Sequence, residues 1–138
     1  MGGVQKPQRT ERTDRTEQGD LNDQADRSER AGSGVLAVLT TTDSREKADA
    51  LARDAVAARL AACVQIGGPV TSVYRWEGDV ESAQEWQVLL KTTEARYAEL
   101  EGWLTERHDY ETPEIVALPV VRGGAGYLAW VHDETSPA

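Results

Sequence analysis

The stretch HDYETPEIVALPV, His108 to Val120, holds the side chains of this chain best suited to bind a metal ion. The imidazole of His108 is followed by carboxylates at Asp109, Glu111 and Glu114. A neutral imidazole beside carboxylates favours Cu(II) over Zn(II), but tight transition-metal sites use three or four protein ligands. His108 with Asp109 or Glu111 would therefore form only a weak site.

A structural interpretation of the same stretch stays open. His108 would then be a polar residue in the exposed last turn of a helix, where a partly protonated ring complements the negative helix end. Pro113 holds the residue before it in an extended conformation, which ends the helix and begins a strand. The other histidine, His132, is interpreted as a surface residue, and the single cysteine, Cys63, as a small buried apolar side chain.

The elements that must position these residues follow from the spacing of apolar side chains. The pattern predicts a buried strand over residues 34–42, followed by a helix that begins with a capping-box-like Asp43 and Glu46. A hairpin is predicted over 70–92, with its turn at Gly78 and Asp79. A helix over 93–108, a strand over 114–121 and a helix over 126–135 complete the predicted elements. The order β-α-β-β-α-β plus a short C-terminal helix predicts an α+β, ferredoxin-like fold with a long hairpin.

A sheet of this topology has both crossover helices on one face, so the other face must be covered by something else. The long hairpin also has unpaired edges, which a monomer would have to protect. Tyr74, Trp76, Val88 and Leu90 are therefore predicted to lie in a contact between subunits.

Composition divides the 138 residues into two parts. Residues 1–33 contain few apolar side chains, and we predict a disordered, charged tail there. Residues 34–138 are predicted to form one domain, which carries most of the formal net charge of −9. An acidic domain without a basic stripe is unlike a nucleic-acid-binding protein, and no apolar run is long enough to cross a membrane. One cysteine excludes an intrachain disulfide, which indicates a cytoplasmic protein.

Four motifs, LAACVQI, VYRWEGDVE, VLLKT and HDYETPEIVALPV, occur in order and are followed by GYLAWV. Together they resemble the CutA family of divalent-cation tolerance proteins over about residues 34 to 135. The resemblance implies a homotrimer of ferredoxin-like subunits whose hairpins pair across subunits and leave clefts between chains. It also implies a role in tolerance of copper and other divalent ions, and no definite enzymatic activity.

The copper ligands of the resembling family are a cysteine in the first strand and two adjacent histidines. Those positions match Leu39, Arg107 and His108 in this chain, so His108 is the only candidate metal ligand that the resemblance leaves. In the trimer that the resemblance implies, three symmetry-related copies of His108 would form only a weak site. Cu(II) or another divalent cation is the only cofactor expected, and no cofactor is required by the sequence.

The resemblance also places a cleft between subunits near this region. Its candidate ligand-binding residues are Trp76, Glu77, Lys91, Tyr110 and Glu114. Lys91 would supply charge for a small anion, and the aromatic rings would supply flat walls. An ion pair between Lys91 and Glu114 that only fixes the interface explains these residues equally well. The sequence contains no catalytic motif, so the alternatives to metal tolerance are a PII-like small-molecule sensor, an enzyme using this cleft, or a trimeric scaffold for a partner.

Overall fold

A computed structural model describes residues 32–137 of the chain. The elements are β1 (Val35–Thr42), α1 (Arg45–Ala57), β2 (Cys63–Trp76), β3 (Asp79–Thr93), α2 (Glu94–Arg107), β4 (Ile115–Val120) and α3 (Ala125–Thr135). The order confirms the predicted ferredoxin-like α+β fold with a long β2–β3 hairpin and a C-terminal helix. The predicted tail lies outside the described residues except for Gly32 and Ser33. Among the described helices, none is long and apolar enough to cross a membrane.

The four strands form one antiparallel sheet in the order β2-β3-β1-β4, so β2 and β4 are its edges. The β2–β3 register shifts between Gly67 and Val70, at the bulge that the Gly-Gly-Pro sequence predicts. Glu77 and Gly78 both have positive φ, 49° and 88°, and connect the strands as a two-residue turn. The turn therefore lies one residue earlier than predicted, and Asp79 pairs with Trp76.

The main core lies between α1, α2 and one face of the sheet. Leu36 and Val38 of β1 meet Leu100 and Leu104 of α2 there, and the last three of these are fully buried. Burying a side chain of this size contributes about 1.5–3 kcal/mol. Successive residues of the continuous apolar run in β1 point to opposite faces of the sheet, so Leu36 and Val38 face these helices and Val35 faces the other side.

Val88 and Leu90 belong to this core and are both 0% exposed, so their predicted place in a subunit contact is wrong. Residues directly opposite on paired strands share a face, and Tyr74 lies opposite Glu81 on β3. Odd-numbered β3 residues therefore lie on the same face of the sheet as Tyr74 and Trp76. Val88 and Leu90 are even-numbered and lie on the opposite face, which α1 and α2 cover.

Helix α3 packs against the opposite side of the sheet, where Leu128 and Val131 meet Val35. The guanidinium of Arg59 donates hydrogen bonds to the carbonyls of Asp133 and Ser136, at 2.9 and 2.8 Å, and so binds the end of α3. The Asp133 carbonyl also accepts a hydrogen bond from the Ser136 N–H at 3.4 Å, so Arg59 adds a side-chain bond to the backbone bond that ends the helix.

Helix α3 covers only one end of the sheet face opposite α1 and α2. The rest of that face is uncovered within the described chain. We call this remaining surface the open face; its apolar residues include Leu39, Leu89, Val116 and Leu118. Val116 is 43% exposed and Leu118 is 56% exposed. An apolar sheet face of this kind is suited to contact another protein chain.

Helix α1 is capped by Ser44, whose hydroxyl accepts a hydrogen bond from the Lys47 backbone N–H at 3.1 Å. The predicted cap at Asp43 is therefore wrong by one residue, since Ser44 has the extended conformation that an N-cap needs. The Asp43 carboxylate instead pairs with the Lys47 ammonium at 2.8 Å.

Two fully buried threonines on neighbouring strands give a matched test of buried hydrogen bonding. The Thr92 hydroxyl donates to the Leu60 carbonyl at 2.6 Å, whereas the Thr40 hydroxyl has no partner among residues 32–137. We expect Thr40→Val to raise the free energy of unfolding by about 1 kcal/mol and Thr92→Val to lower it by about 1–2 kcal/mol. Urea unfolding of both variants checks this, and a loss of stability in Thr40→Val would contradict it.

Candidate functional site

The residues after α2 form a turn that is bound to the sheet through His108. The ring is buried, and its Nε2 lies 2.6 Å from the Thr41 carbonyl oxygen. Its Nδ1 accepts a hydrogen bond from the Tyr110 backbone N–H at 3.1 Å. A nitrogen that accepts from an N–H carries no proton, so Nε2 holds the proton and donates it to Thr41. The interpretation of His108 as an exposed helix-end residue is therefore wrong.

Asp109 fixes the same turn to α1 through Lys47. The Lys47 ammonium donates to carboxylate oxygens of both Asp109 and Asp43. The hydrogen bond from Lys47 holds the pKa of Asp109 below its usual value. All three side chains are about half exposed, so these ion pairs position the turn and contribute little to stability.

These surroundings do not fit a tight copper site. The Nε2–H of the buried His108 ring donates to the Thr41 carbonyl and the Nδ1 lone pair accepts from the Tyr110 N–H, so neither nitrogen is free to bind a metal in this conformation. Within residues 32–137, no group of three or more His, Cys, Asp or Glu side chains is arranged to hold a metal ion. Leu39, at the position of the family's cysteine ligand, has an aliphatic side chain on the open face.

Tyr110 forms the wall of a groove between the turn and the distal half of the hairpin. Its hydroxyl donates to Glu85 Oε2 at 2.9 Å. Burial, followed by this bond to a carboxylate, raises the pKa of Tyr110, so the phenol stays protonated at neutral pH. The groove has a volume of about 880 Å³. It is lined on one side by Ser72, Val73, Tyr74, Trp76, Glu81, Ala83 and Glu85, on the other by Tyr110, Glu111, Thr112 and Glu114, and by Thr41.

The lining of this groove is acidic as well as aromatic. Four of its residues are glutamates, and none is Lys, Arg or His. Three aromatic residues, Tyr74, Trp76 and Tyr110, supply flat apolar surface beside these carboxylates. We call this feature the acidic groove, and its charge favours a cation over an anion.

The predicted cleft residues are only partly brought together. Trp76, Tyr110 and Glu114 line the acidic groove, whereas Glu77 lies in the hairpin turn. Lys91 lies on the part of the sheet next to α3, with its ammonium 5.6 Å from the centre of the Tyr127 ring. An anion site that uses both Lys91 and Glu114 would therefore need two chains.

Sequence reasoning missed Glu81 and Glu85 as groove residues. The signal that could have found them is the hairpin register, because Tyr74 lies opposite Glu81 and Val70 lies opposite Glu85. Cys63, predicted as a small buried apolar side chain, is only partly buried at the start of β2, so that prediction is wrong in degree. It lies next to Tyr127, whose pKa is raised by burial and then by the neighbouring thiol. His132 Nε2 lies 3.0 Å from the Ser33 carbonyl oxygen at the surface.

A family model described as CutA1 divalent ion tolerance protein matches residues 36–134. The chain belongs to the CutA1 family. It is 44% identical over 98 residues to the divalent-cation tolerance protein CutA of Thermus thermophilus, which covers 71% of this chain and 95% of that protein. It is 37% identical over 110 residues to the protein CutA of Mus musculus, which covers 76% of this chain and 62% of that protein.

Solved CutA1 structures share the fold. The Thermus thermophilus protein aligns with a TM-score of 0.72 at 42% identity, covering 74% of this chain and 99% of that one. CutA1 of Pyrococcus horikoshii, solved as a variant, aligns with a TM-score of 0.70 at 32% identity, with the same coverage. The CutA1 domain thus includes the acidic groove, the His108 turn and α3.

Proposed function

We propose that this chain is the subunit of a cytoplasmic homotrimer that acts in tolerance of divalent metal ions. The observation that carries this proposal is the CutA1 family match, which spans every strand and nearly all of the helices of the domain. Relatives from Thermus thermophilus and from Salmonella strains carry the name divalent-cation tolerance protein CutA. Those names specify tolerance of cations and no reaction, so the proposed role is one of binding and not of catalysis.

The uncovered surfaces support the trimer. Leu118 is 56% exposed on the open face, and Val73 and Val80 of the hairpin are 68% and 70% exposed. The two edge strands, β2 and β4, have backbone groups that no other described strand pairs. A neighbouring chain that paired with these edges and packed on the open face would bury both kinds of surface.

The single cysteine supports a cytoplasmic location, since it cannot form a disulfide within the chain. Relatives named for other compartments are the chloroplastic CutA of Arabidopsis thaliana and the periplasmic CutA of Archaeoglobus fulgidus. Copper contact, where it occurs, is proposed to be weak, because the surroundings of His108 do not fit a tight site.

Growth of a bacterial strain that lacks its own CutA tests the role in metal tolerance. We expect the wild-type chain to restore growth at raised copper(II) concentration, and Leu118→Glu, which removes the apolar contact of the open face, to fail. Val56→Glu on the exposed side of α1 is the matched control and should restore growth. Equal growth of the strain with and without the wild-type chain, over a range of copper and zinc concentrations, would contradict the proposed role.

A further inference from the structure

The turn that follows α2 is held by a positive charge that the chain itself supplies. The Lys47 ammonium lies between the carboxylates of Asp43 and Asp109 and donates a hydrogen bond to each, at 2.8 Å in the case of Asp43. The two aspartates come from distant parts of the sequence and meet at this one ammonium. Without it, two like charges that face each other at this distance would repel.

Two carboxylates that converge on one point also suit a divalent cation. Hard ions such as Mg²⁺ and Mn²⁺ prefer carboxylate oxygens, and one or two carboxylates with several waters commonly hold them. The Asp43 and Asp109 side chains are 50% and 48% exposed, so water reaches their oxygens. In this chain the Lys47 ammonium takes the position that such an ion would need.

A second side-chain cation lies beside the same turn. The Arg107 guanidinium is 3.8 Å from the Asp54 carboxylate and 4.5 Å from the centre of the Trp103 ring. The Arg107–Asp54 and Lys47–Asp109 pairs line one pocket of about 280 Å³ between α1 and the turn. Each carboxylate that lines this pocket is therefore already paired with a cation of the chain.

The metal that the family implies does not fit this arrangement. Of the three positions where the resembling family has copper ligands, Arg107 carries a fixed positive charge and Leu39 is aliphatic. His108, the third, is bound to backbone groups through both ring nitrogens. Lysine and arginine side chains thus supply the positive charge near the turn, where the family has a metal ion.

We propose that the Lys47 ammonium occupies a cation position between Asp43 and Asp109. The turn is then held without a metal ion, and it admits a divalent cation only when the charge of Lys47 is removed. The position lies beside α1 and not on the open face, so the proposed trimer contact leaves it accessible. This inference does not rest on the proposed role in metal tolerance, because growth in copper and ion binding at the turn are measured separately.

Titration of Mn²⁺ into the full-length chain tests the proposal, with paramagnetic loss of the Asp43 and Asp109 backbone amide signals as the measurement. We expect Lys47→Met to bind Mn²⁺ at these residues about tenfold more tightly than the wild type, because the ion then meets two carboxylates and no competing charge. The amide shift of Tyr110 reports whether His108 still holds the turn in the variant.

The matched control is Arg53→Met, which removes one positive charge from the same helix. Arg53 pairs with a single carboxylate, that of Asp49, at 2.9 Å. This variant has the same net charge as Lys47→Met but no second carboxylate at the vacated position. It should therefore bind Mn²⁺ at Asp43 and Asp109 as weakly as the wild type does.

Two results would overturn the proposal. One is equal Mn²⁺ affinity at Asp43 and Asp109 in the wild type and in Lys47→Met, which would show that the ammonium does not occupy a cation position. The other is an equal gain in Lys47→Met and Arg53→Met, which would indicate attraction to net charge alone.

Discussion

Replacing His108 with alanine should lower the free energy of unfolding by about 3 kcal/mol. The change removes a buried ring and leaves a cavity, and it also removes the bonds at 2.6 Å to the Thr41 carbonyl and at 3.1 Å from the Tyr110 N–H. Cavity formation and unpaired buried polar groups each cost about 1–3 kcal/mol. Guanidinium unfolding at a fixed chain concentration measures the effect, because the proposed assembly would make stability concentration-dependent.

The matched control for this variant is His132→Ala. That ring lies at the surface and makes a single bond to the Ser33 carbonyl, so we expect a loss below about 1 kcal/mol. An equal loss in the two variants would contradict the structural role of His108. Titration of Cu(II) into the same proteins should give heats that His108→Ala leaves unchanged. Saturable copper binding lost only in His108→Ala would instead show that the ring leaves its backbone partners to bind metal.

Replacing Leu118 with glutamate should convert the proposed trimer into monomers. Leu118 is 56% exposed in one chain, so the substitution should hardly alter the fold of that chain. In a trimer packed on the open face, each contact would bury an unpaired carboxylate at a cost of several kcal/mol. Light scattering should therefore give three times the 15.1 kDa chain mass for the wild type and a single chain mass for the variant.

Val56→Glu is the control for this change, since Val56 is 42% exposed on α1, away from the open face. The control should keep the trimer mass. A trimer that persists in Leu118→Glu would show that the open face is not the contact, and a monomeric wild type would contradict the assembly itself.

Much of the fold could be predicted from the sequence because short-range patterns determine it. The helical spacing of apolar residues in α1 and α2 locates both helices, and the run at β1 identifies a central strand. The Gly-Gly-Pro sequence predicts the β2 bulge at the place where the register shifts. Each of these signals lies within a few residues of the feature that it predicts.

The candidate site was predicted less well because long-range contacts decide it. The partner of His108, Thr41, is 67 residues away along the chain, and nothing near His108 indicates that its ring turns inward. The acidic groove depends on the β2–β3 register, which places Tyr74 opposite Glu81. A turn placed one residue late pairs Tyr74 with Ala83 and hides its pairing with Glu81. The face of Val88 and Leu90 is instead decided by their packing in the core beneath α1 and α2.

The position of β2 at the edge of the sheet has a consequence for how cells make this protein. Until a newly synthesised chain joins the proposed trimer, fourteen residues of strand, Cys63–Trp76, have an outer edge that no described strand pairs. Such an edge also pairs with incorrect strands, so folding intermediates at high concentration aggregate. If the proposed trimer closes this edge, the yield of native protein depends on how quickly the chains assemble, and slower synthesis at lower temperature should favour the native product.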